Sequence, residues 1–370
     1  MKTAITSLFS LFVFFMASCI NAKTENIEQN DSVFLMCDIK KCKNENISLY
    51  PASKNGKHGY INNKGVVVIG FTFKECGFFT REFAPFAQVT LEDNSIAYID
   101  KDGNIYNKLP SDLTNSFYYK GVTNKLLDDQ GKFCLIDING NRVTSDVYDF
   151  ISLPKCGLFR FKKGGGIGFL NEDGKIIIPP MYKDAGDFYE GLAKVKINGK
   201  YGYINTKDEI VILNTYTRAN DFSEGLAAVS EGSIDDGTSK TGYINQKGEV
   251  VIPFKFGDAK EFNEGIARVT RKGDYFNHAE GLIDKQGNLL CPYIFKKSEL
   301  FGSNFHCGRA HYMIEKNGTI KEGFIDKKGK LVIPAIYDIA NVFRDGLAFV
   351  EKDGKSMYID INGKIIWTNN

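Results

Sequence analysis

Nine times along the chain one short phrase returns: most often a Gly, then an aromatic or Leu, then Ile or Leu, then Asn or Asp. It runs from Gly59-Tyr60-Ile61-Asn62 through Gly202-Tyr203-Ile204-Asn205 to Met357-Tyr358-Ile359-Asp360, in steps of 34 to 42 residues. A period in this range is the mark of a repeat architecture, in which each small unit buries its apolar face only by stacking on its neighbours. Such a fold presents a surface and carries no built-in reaction, so the sequence constrains architecture more tightly than activity.

The clearest unit spans residues 192–213. Leu192-Ala193-Lys194-Val195-Lys196-Ile197 alternates apolar and polar residues, as a strand with one buried face does. Asn198-Gly199 suits a two-residue hairpin turn, because both residues tolerate positive φ. The chain returns through Lys200 to Asn205, turns again, and leaves as Ile210-Val211-Ile212-Leu213. The expected unit is therefore a three-stranded antiparallel meander. Its second turn has the form Asp284-Lys285-Gln286-Gly287 or Asp326-Lys327-Lys328-Gly329, where Asp and Gly supply the turn chemistry. Third strands are expected to stop at Pro179, Pro253, Pro292 and Pro334. A connector of constant grammar follows, at 182–193, 216–227, 256–267 and 337–348, and its Tyr or Phe, Ala and second Phe are expected to fill the gap between adjacent meanders.

These motifs resemble those of the WG-repeat family, short bacterial β repeats with the phrase "GYID, turn Gly, VIP, then Tyr, Phe, EGLA.V". The resemblance covers residues 49–367, best over 168–270 and 323–360, and is degenerate over 70–160. The Trp that precedes Gly in the family is replaced here by His58, Ile167, Tyr201, Thr241, Glu280 and Glu322, and the single Trp is Trp367. The resemblance implies an all-β tandem array and no defined catalytic residues. About nine units of three strands point to an open, curved, solenoid-like stack, since propellers have four to eight four-stranded blades; a closed β-propeller-like ring is the alternative, with the connector as an irregular fourth strand.

The N-terminus carries a different message. Residues 1–18 read as a signal peptide, with Lys2 ahead of an apolar stretch too short to span a bilayer as a helix. Met16-Ala17-Ser18-Cys19 resembles the lipobox of bacterial lipoproteins, which would make Cys19 the lipid acceptor; the competing reading is cleavage after Ala22 and a soluble secreted product. Residues 19–31 then form a tether, 32–48 an N-terminal cap with a strand over 32–39, and 49–367 the repeat array. Lys plus Arg at 47 against Asp plus Glu at 45 gives no basic field, so nucleic-acid binding has no electrostatic support.

Eight cysteines include Cys19. Of the others, Cys37 with Cys42, Cys134 with Cys156, and Cys291 with Cys307 are placed to pair in an oxidising compartment; the alternative is free thiols acting as small hydrophobes. His306-Cys307 and His311 invite a metal reading, but on a strand Cys307 and His311 would stand roughly 13 Å apart, and no cofactor or metal is expected. Lys162-Lys163-Gly164-Gly165-Gly166 reads as a hairpin turn, not a phosphate loop. Glu190, Glu224, Glu264 and Asp345 recur before a Gly at the start of each first strand. Paired carboxylates can divide acid and nucleophile roles, but such regular recurrence points to a structural task, accepting backbone hydrogen bonds where connector becomes sheet.

Where the repeats differ is more suggestive of function. The first hairpin takes 11 residues in short units but 17, 16 and 15 in three consecutive units, from Gly225, Gly265 and Gly308 onward. Equivalent loops of a stack line one edge, and insertions there often build a binding rim. Ile234, Asp235, Asp236, Tyr275, Phe276, His278 and Asn317 are the candidate contact residues. The expected function is a non-enzymatic, envelope-associated binding or scaffold protein whose rim meets a protein or glycan. A secreted glycan-processing enzyme of propeller-like type and a purely structural spacer are the alternatives.

Overall fold

The computed structural model describes residues 47–79, 86–107, 122–127, 131–137, 140–233, 237–273, 279–295, 304–316 and 318–369. The signal peptide, Cys19, the tether, the strand over 32–39, Cys37 and Cys42 lie outside them. So do all seven candidate rim residues: Ile234, Asp235, Asp236, Tyr275, Phe276, His278 and Asn317.

The chain is all-β, built as a succession of small antiparallel sheets. The alternating residues identified from the sequence form strands Leu192–Ile197, Lys200–Asn205 and Ile210–Tyr216, paired in that order. The strongest local determinant is the second turn. Asn205 Oδ1 accepts the N–H groups of Lys207 and Glu209, and Asn245, Asp284, Asp326 and Asp360 make the same two bonds in later repeats. One side-chain oxygen thus closes the loop and fixes the strand register, which explains the Asn or Asp that ends every copy of the phrase.

Two expectations are corrected. The unit has four strands where the connector joins the sheet: Phe150–Ile151, Arg218–Ala219 and Ile339–Ala340 each pair with the first strand of their repeat. In the seventh repeat the connector continues a ten-residue strand, Val250–Ala259, whose Ala259 pairs with Val269. The connector Ala lets the backbone approach this closely, and the fourth strand removes the strand-count reason for preferring an open stack. The third strands also do not stop at proline; they run on through it as Ile176–Tyr182, Val250–Ala259, Leu289–Phe295 and Leu331–Tyr337. Proline is tolerated there because the stretch that carries it pairs on one side only, even in Val250–Ala259, whose second partner begins at Phe256, and a register shift loosens the ladder at that point.

The molecule divides into two compact units. Of the described residues, one holds 47–62, 67–79 and 86–107, and its core joins Tyr60, Ile69 and Phe73 of the first repeat to Ala87, Val89, Ala97 and Ile99 of the second. The other holds 63–66 and those from 122 to 369. Its core is a series of clusters, each shared by two consecutive repeats; one joins Tyr203, Ile212 and Tyr216 to Ala219, Phe222, Val229 and Ile244.

The connector residues pack as expected. Phe188, Phe222, Phe262 and Phe343 are fully buried, each against the aromatic ring of the preceding phrase, Phe169, Tyr203, Tyr243 and Phe324, with centroids 4.7–4.8 Å apart. Where that ring is Tyr, its hydroxyl donates to a connector carbonyl, Tyr203 to Asn220 and Tyr243 to Lys260. A buried phenol would otherwise be costly without an acceptor. Turn glycines press on the repeat before: a Cβ on Gly287 would stand 2.9 Å from the Ile252 side chain, and one on Gly329 would stand 2.3 Å from Cys291 Sγ.

No two of the described cysteines, Cys76, Cys134, Cys156, Cys291 and Cys307, are joined to each other, so neither Cys134–Cys156 nor Cys291–Cys307 is a disulfide. Cys134 and Cys291 are buried within strands, whereas Cys156 and Cys307 occupy turns at the start of their repeats. Burial pushes the Cys76 thiol up to about 12.

Candidate functional site

The recurrent acids form the most regular arrangement of charge in the molecule. Glu190, Glu224, Glu264 and Asp345 have φ between +49° and +54°, and the glycine after each also has positive φ. Two left-handed residues in succession make a two-residue turn, closed by bonds in both directions between Tyr189 and Leu192, Ser223 and Leu226, Asn263 and Ile266, and Arg344 and Leu347. A non-glycine residue at this φ is disfavoured by about 1–2 kcal/mol, so something must hold it there.

For Glu190, Glu224 and Glu264 the next repeat does so. The Glu190 carboxylate accepts the Gly225 N–H at 2.9 Å, Glu224 accepts that of Gly265 at 2.9 Å, and Glu264 accepts those of Cys307 and Gly308 at 2.6 and 2.7 Å. A turn residue of that same next repeat completes each site. Gln246 donates to Glu190 at 3.0 Å, while Lys285 and Lys327 lie 3.1 and 3.4 Å from the carboxylates of Glu224 and Glu264 and also donate to their carbonyl oxygens. The acids therefore accept backbone hydrogen bonds as expected, but from the following repeat and not their own. At Glu224, partial burial pushes the carboxyl up, and Lys285 with the Gly265 N–H outweighs it, leaving a net lowering.

Sequence reasoning missed Gln246, Lys285 and Lys327. The signal lay in comparing positions between repeats: each stands directly after the Asn or Asp of its phrase. In the eighth repeat, where Cys307 replaces the acid, the corresponding residue of the ninth is apolar Ile361.

A second set of polar contacts fills the positions where the family phrase has Trp. Tyr201 donates to Asp184, and Thr241 Oγ1 lies 2.9 Å from Ser230 Oγ in a buried hydroxyl pair. Glu280, with 3% of its side chain exposed, meets Arg268 at 3.2 Å. Glu322 accepts the Ala340 N–H, and its Oε2 lies 3.1 Å from His311 Nε2, close enough for an ion pair without hydrogen-bond alignment. The supposed strand spacing of Cys307 and His311 is corrected, because Cys307 is in the turn, with φ +53°, and only His311 is on the strand Ala310–Lys316. Among the described residues no three His, Cys, Asp or Glu side chains come together as a metal site. Lys162 and Lys163 end a strand whose hairpin turn is Gly164-Gly165.

A third row runs along the connectors. Asp187 pairs with Arg160 at 2.7 Å and Asp221 lies 3.1 Å from Lys194, each cation coming from the preceding repeat. Burial raises the Asp221 carboxyl above its ordinary value, and Glu261 and Asp187 add to this against the pull of Lys194.

Fold and contacts together define an all-β tandem-repeat protein in which each unit is completed by the next. The WG containing repeat profile matches residues 59–88, 167–201, 201–233, 242–275 and 323–355, and the chain belongs to the WG containing repeat family. No curated protein matches it. Among solved structures, a eukaryotic initiation factor is 11% identical, with 87% of this chain and 96% of that one aligned at a TM-score of 0.53. The β-propeller domain of the Trilobed protease from Pyrococcus furiosus is 9% identical over 88% and 99% of the two chains, with a TM-score of 0.35. The computationally designed protein Ika8 is 15% identical over 69% and 85%, with a TM-score of 0.39. The first likeness bears on fold alone, and the other two are too loose to carry an argument.

Proposed function

We propose that this chain is a non-enzymatic binding or scaffold protein of a bacterial cell envelope, anchored through a lipid on Cys19, with the hairpin rim of residues 230–320 facing a protein or glycan partner. The observation that carries the proposal is the engagement of the recurrent carboxylates. Glu190, Glu224 and Glu264 are committed to backbone N–H groups and turn residues of the next repeat, in near-identical surroundings. A pair of catalytic acids needs unlike surroundings that separate their pKa values.

The test uses the full chain exported from a bacterial host. Recovery of a specific envelope partner by the wild type, and its loss when the three long hairpins are cut to the short-unit length, supports the binding role. Equal recovery by the shortened protein would leave a structural spacer. Glycan turnover abolished by Glu224→Gln would restore the enzyme reading. A lipid-modified mass that disappears in Cys19→Ala tests the anchor separately.

A further inference from the structure

Among the fourth to eighth repeats, the fifth departs from the others at three places on or beside its third strand. At the fourth position of the third strand, the fourth, sixth, seventh and eighth repeats carry Pro179, Pro253, Pro292 and Pro334; the fifth carries Leu213. Proline has no N–H to donate, and its acceptance at four equivalent positions shows that the N–H there serves no ladder bond and faces the open edge. Natural sheets use such edge prolines to block pairing with a further strand. Strand Ile210–Tyr216 lacks that block. It also carries the most exposed large hydrophobic side chain among the described residues, Leu213 at 72%, beside exposed Ile210 and Val211.

The other two departures lie five residues on either side of Leu213. Asp208 stands where sister turns have glycine, such as Gly174, Gly248, Gly287 and Gly329, and keeps the positive φ of that position at +66°. Arg218 stands where the neighbouring connectors have Asp184, Asp258 and Ile339. Both keep exposed surface while making one contact within the fold, Asp208 with the Tyr182 hydroxyl and Arg218 with Asp258 at 3.8 Å.

We propose that strand Ile210–Tyr216 is a self-association edge, pairing antiparallel with the same strand of a second copy of this chain about a two-fold axis at Leu213. An axis there sets Leu213 opposite Leu213 of the partner and Val211 opposite Thr215, and it brings the Asp208 turn before one strand to the end where the other copy's chain leaves for Arg218. The interface is isologous, as a two-fold dimer requires. Opposite charges share each end of the strand pair, and the apolar side chains of the two copies cover one another. Parallel pairing in the same register would bring Asp208 to the same end as Asp208 and Arg218 to the same end as Arg218, so the charges select the antiparallel arrangement.

The sister repeats supply the test variants. Leu213→Pro and Asp208→Gly each install the residue that equivalent positions already accommodate, so the fold should persist, as far-ultraviolet circular dichroism and thermal unfolding would show. Sedimentation velocity across the micromolar range should find wild-type dimer. Leu213→Pro should raise the dissociation constant about tenfold or more, the equivalent of the two symmetry-related cross-strand hydrogen bonds and the side-chain contact between them, and Asp208→Gly should raise it by a smaller factor. In a Cys156→Ser background, Leu213→Cys should form an intermolecular disulfide under mild oxidation. Monomeric wild type throughout the range would overturn the proposal. So would a dimer whose dissociation constant is unchanged by Leu213→Pro.

Discussion

Replacing Glu224 offers a direct test of how one repeat is fastened to the next. Its carboxylate accepts the Gly265 N–H at 2.9 Å and faces Lys285 at 3.1 Å, while its own backbone holds φ at +54°. A hydrogen bond to a charged acceptor contributes about 1.5–3 kcal/mol. With 29% of the Glu224 side chain exposed, solvent competes, and about 1–2 kcal/mol is the expected cost of Glu224→Ala. Glu224→Gly loses the same contacts but relieves the left-handed backbone, recovering up to about 1 kcal/mol. Glu224→Gln keeps an acceptor for Gly265 and gives up chiefly the exposed ion pair, at about 0.5 kcal/mol.

The assay is amide hydrogen exchange at Gly265, since unfolding of a repeat array need not be two-state. A loss of 1.4 kcal/mol corresponds to a tenfold fall in protection. The order of protection should be wild type, Gln, Gly, Ala. The folded carboxyl of Glu224 is lowered, so its stabilisation is present above the unfolded value and disappears as pH falls through the folded one. Wild type and Glu224→Gln should therefore converge in acid. Unchanged Gly265 protection in Glu224→Ala, or a Gly variant no better than Ala, would refute the fastening argument.

Three further outcomes are expected. Arg268→Met should destabilise the protein by about 1–3 kcal/mol by removing one charged partner of buried Glu280, and an unchanged midpoint in urea unfolding would contradict this. The raised carboxyl of Asp221 makes its ionised form a cost: stability should fall as pH rises from the ordinary aspartate value to the raised one, and Asp221→Asn should flatten that part of the pH profile and be the more stable protein at neutral pH. Cys156, exposed in its turn, should react with a maleimide in the native protein while buried Cys134 and Cys291 react only on unfolding, and a mass shift of native protein at either buried thiol would contradict this.

Much of the fold was legible because its determinants are local. The period, the two longer hairpin strands and the Asn or Asp second turns each depend on residues within a few positions of one another. The fourth strand was legible only as an alternative reading of the connector, since two residues such as Arg218–Ala219 are too short to show alternation. Proline misled at Pro179, Pro253, Pro292 and Pro334, because its rule against strands holds for paired N–H groups and these face an open edge. The recurrent acids were expected to accept backbone hydrogen bonds, as Glu190, Glu224 and Glu264 do, yet the N–H groups they accept from lie 35 to 44 residues away along the chain, beyond any local pattern. Nor did propensity reveal the turns they occupy, since glutamate is an unfavourable choice for a left-handed residue and is held there by contacts from the next unit.

The fastening between repeats also bears on how such a chain can grow. At the three junctions from the fifth repeat to the eighth, each unit supplies a carboxylate to its successor, which receives it on an N–H with a Lys or Gln, so donor and acceptor are encoded one period apart. An unequal crossover that copies a whole period inserts a unit already equipped for both neighbours, whatever the point of exchange. One that copies a fraction of a period separates carboxylate from glycine and leaves a left-handed glutamate unsupported. The chemistry of the junction thereby favours gene duplications in whole-repeat steps, while the length of the first hairpin is free to drift from copy to copy.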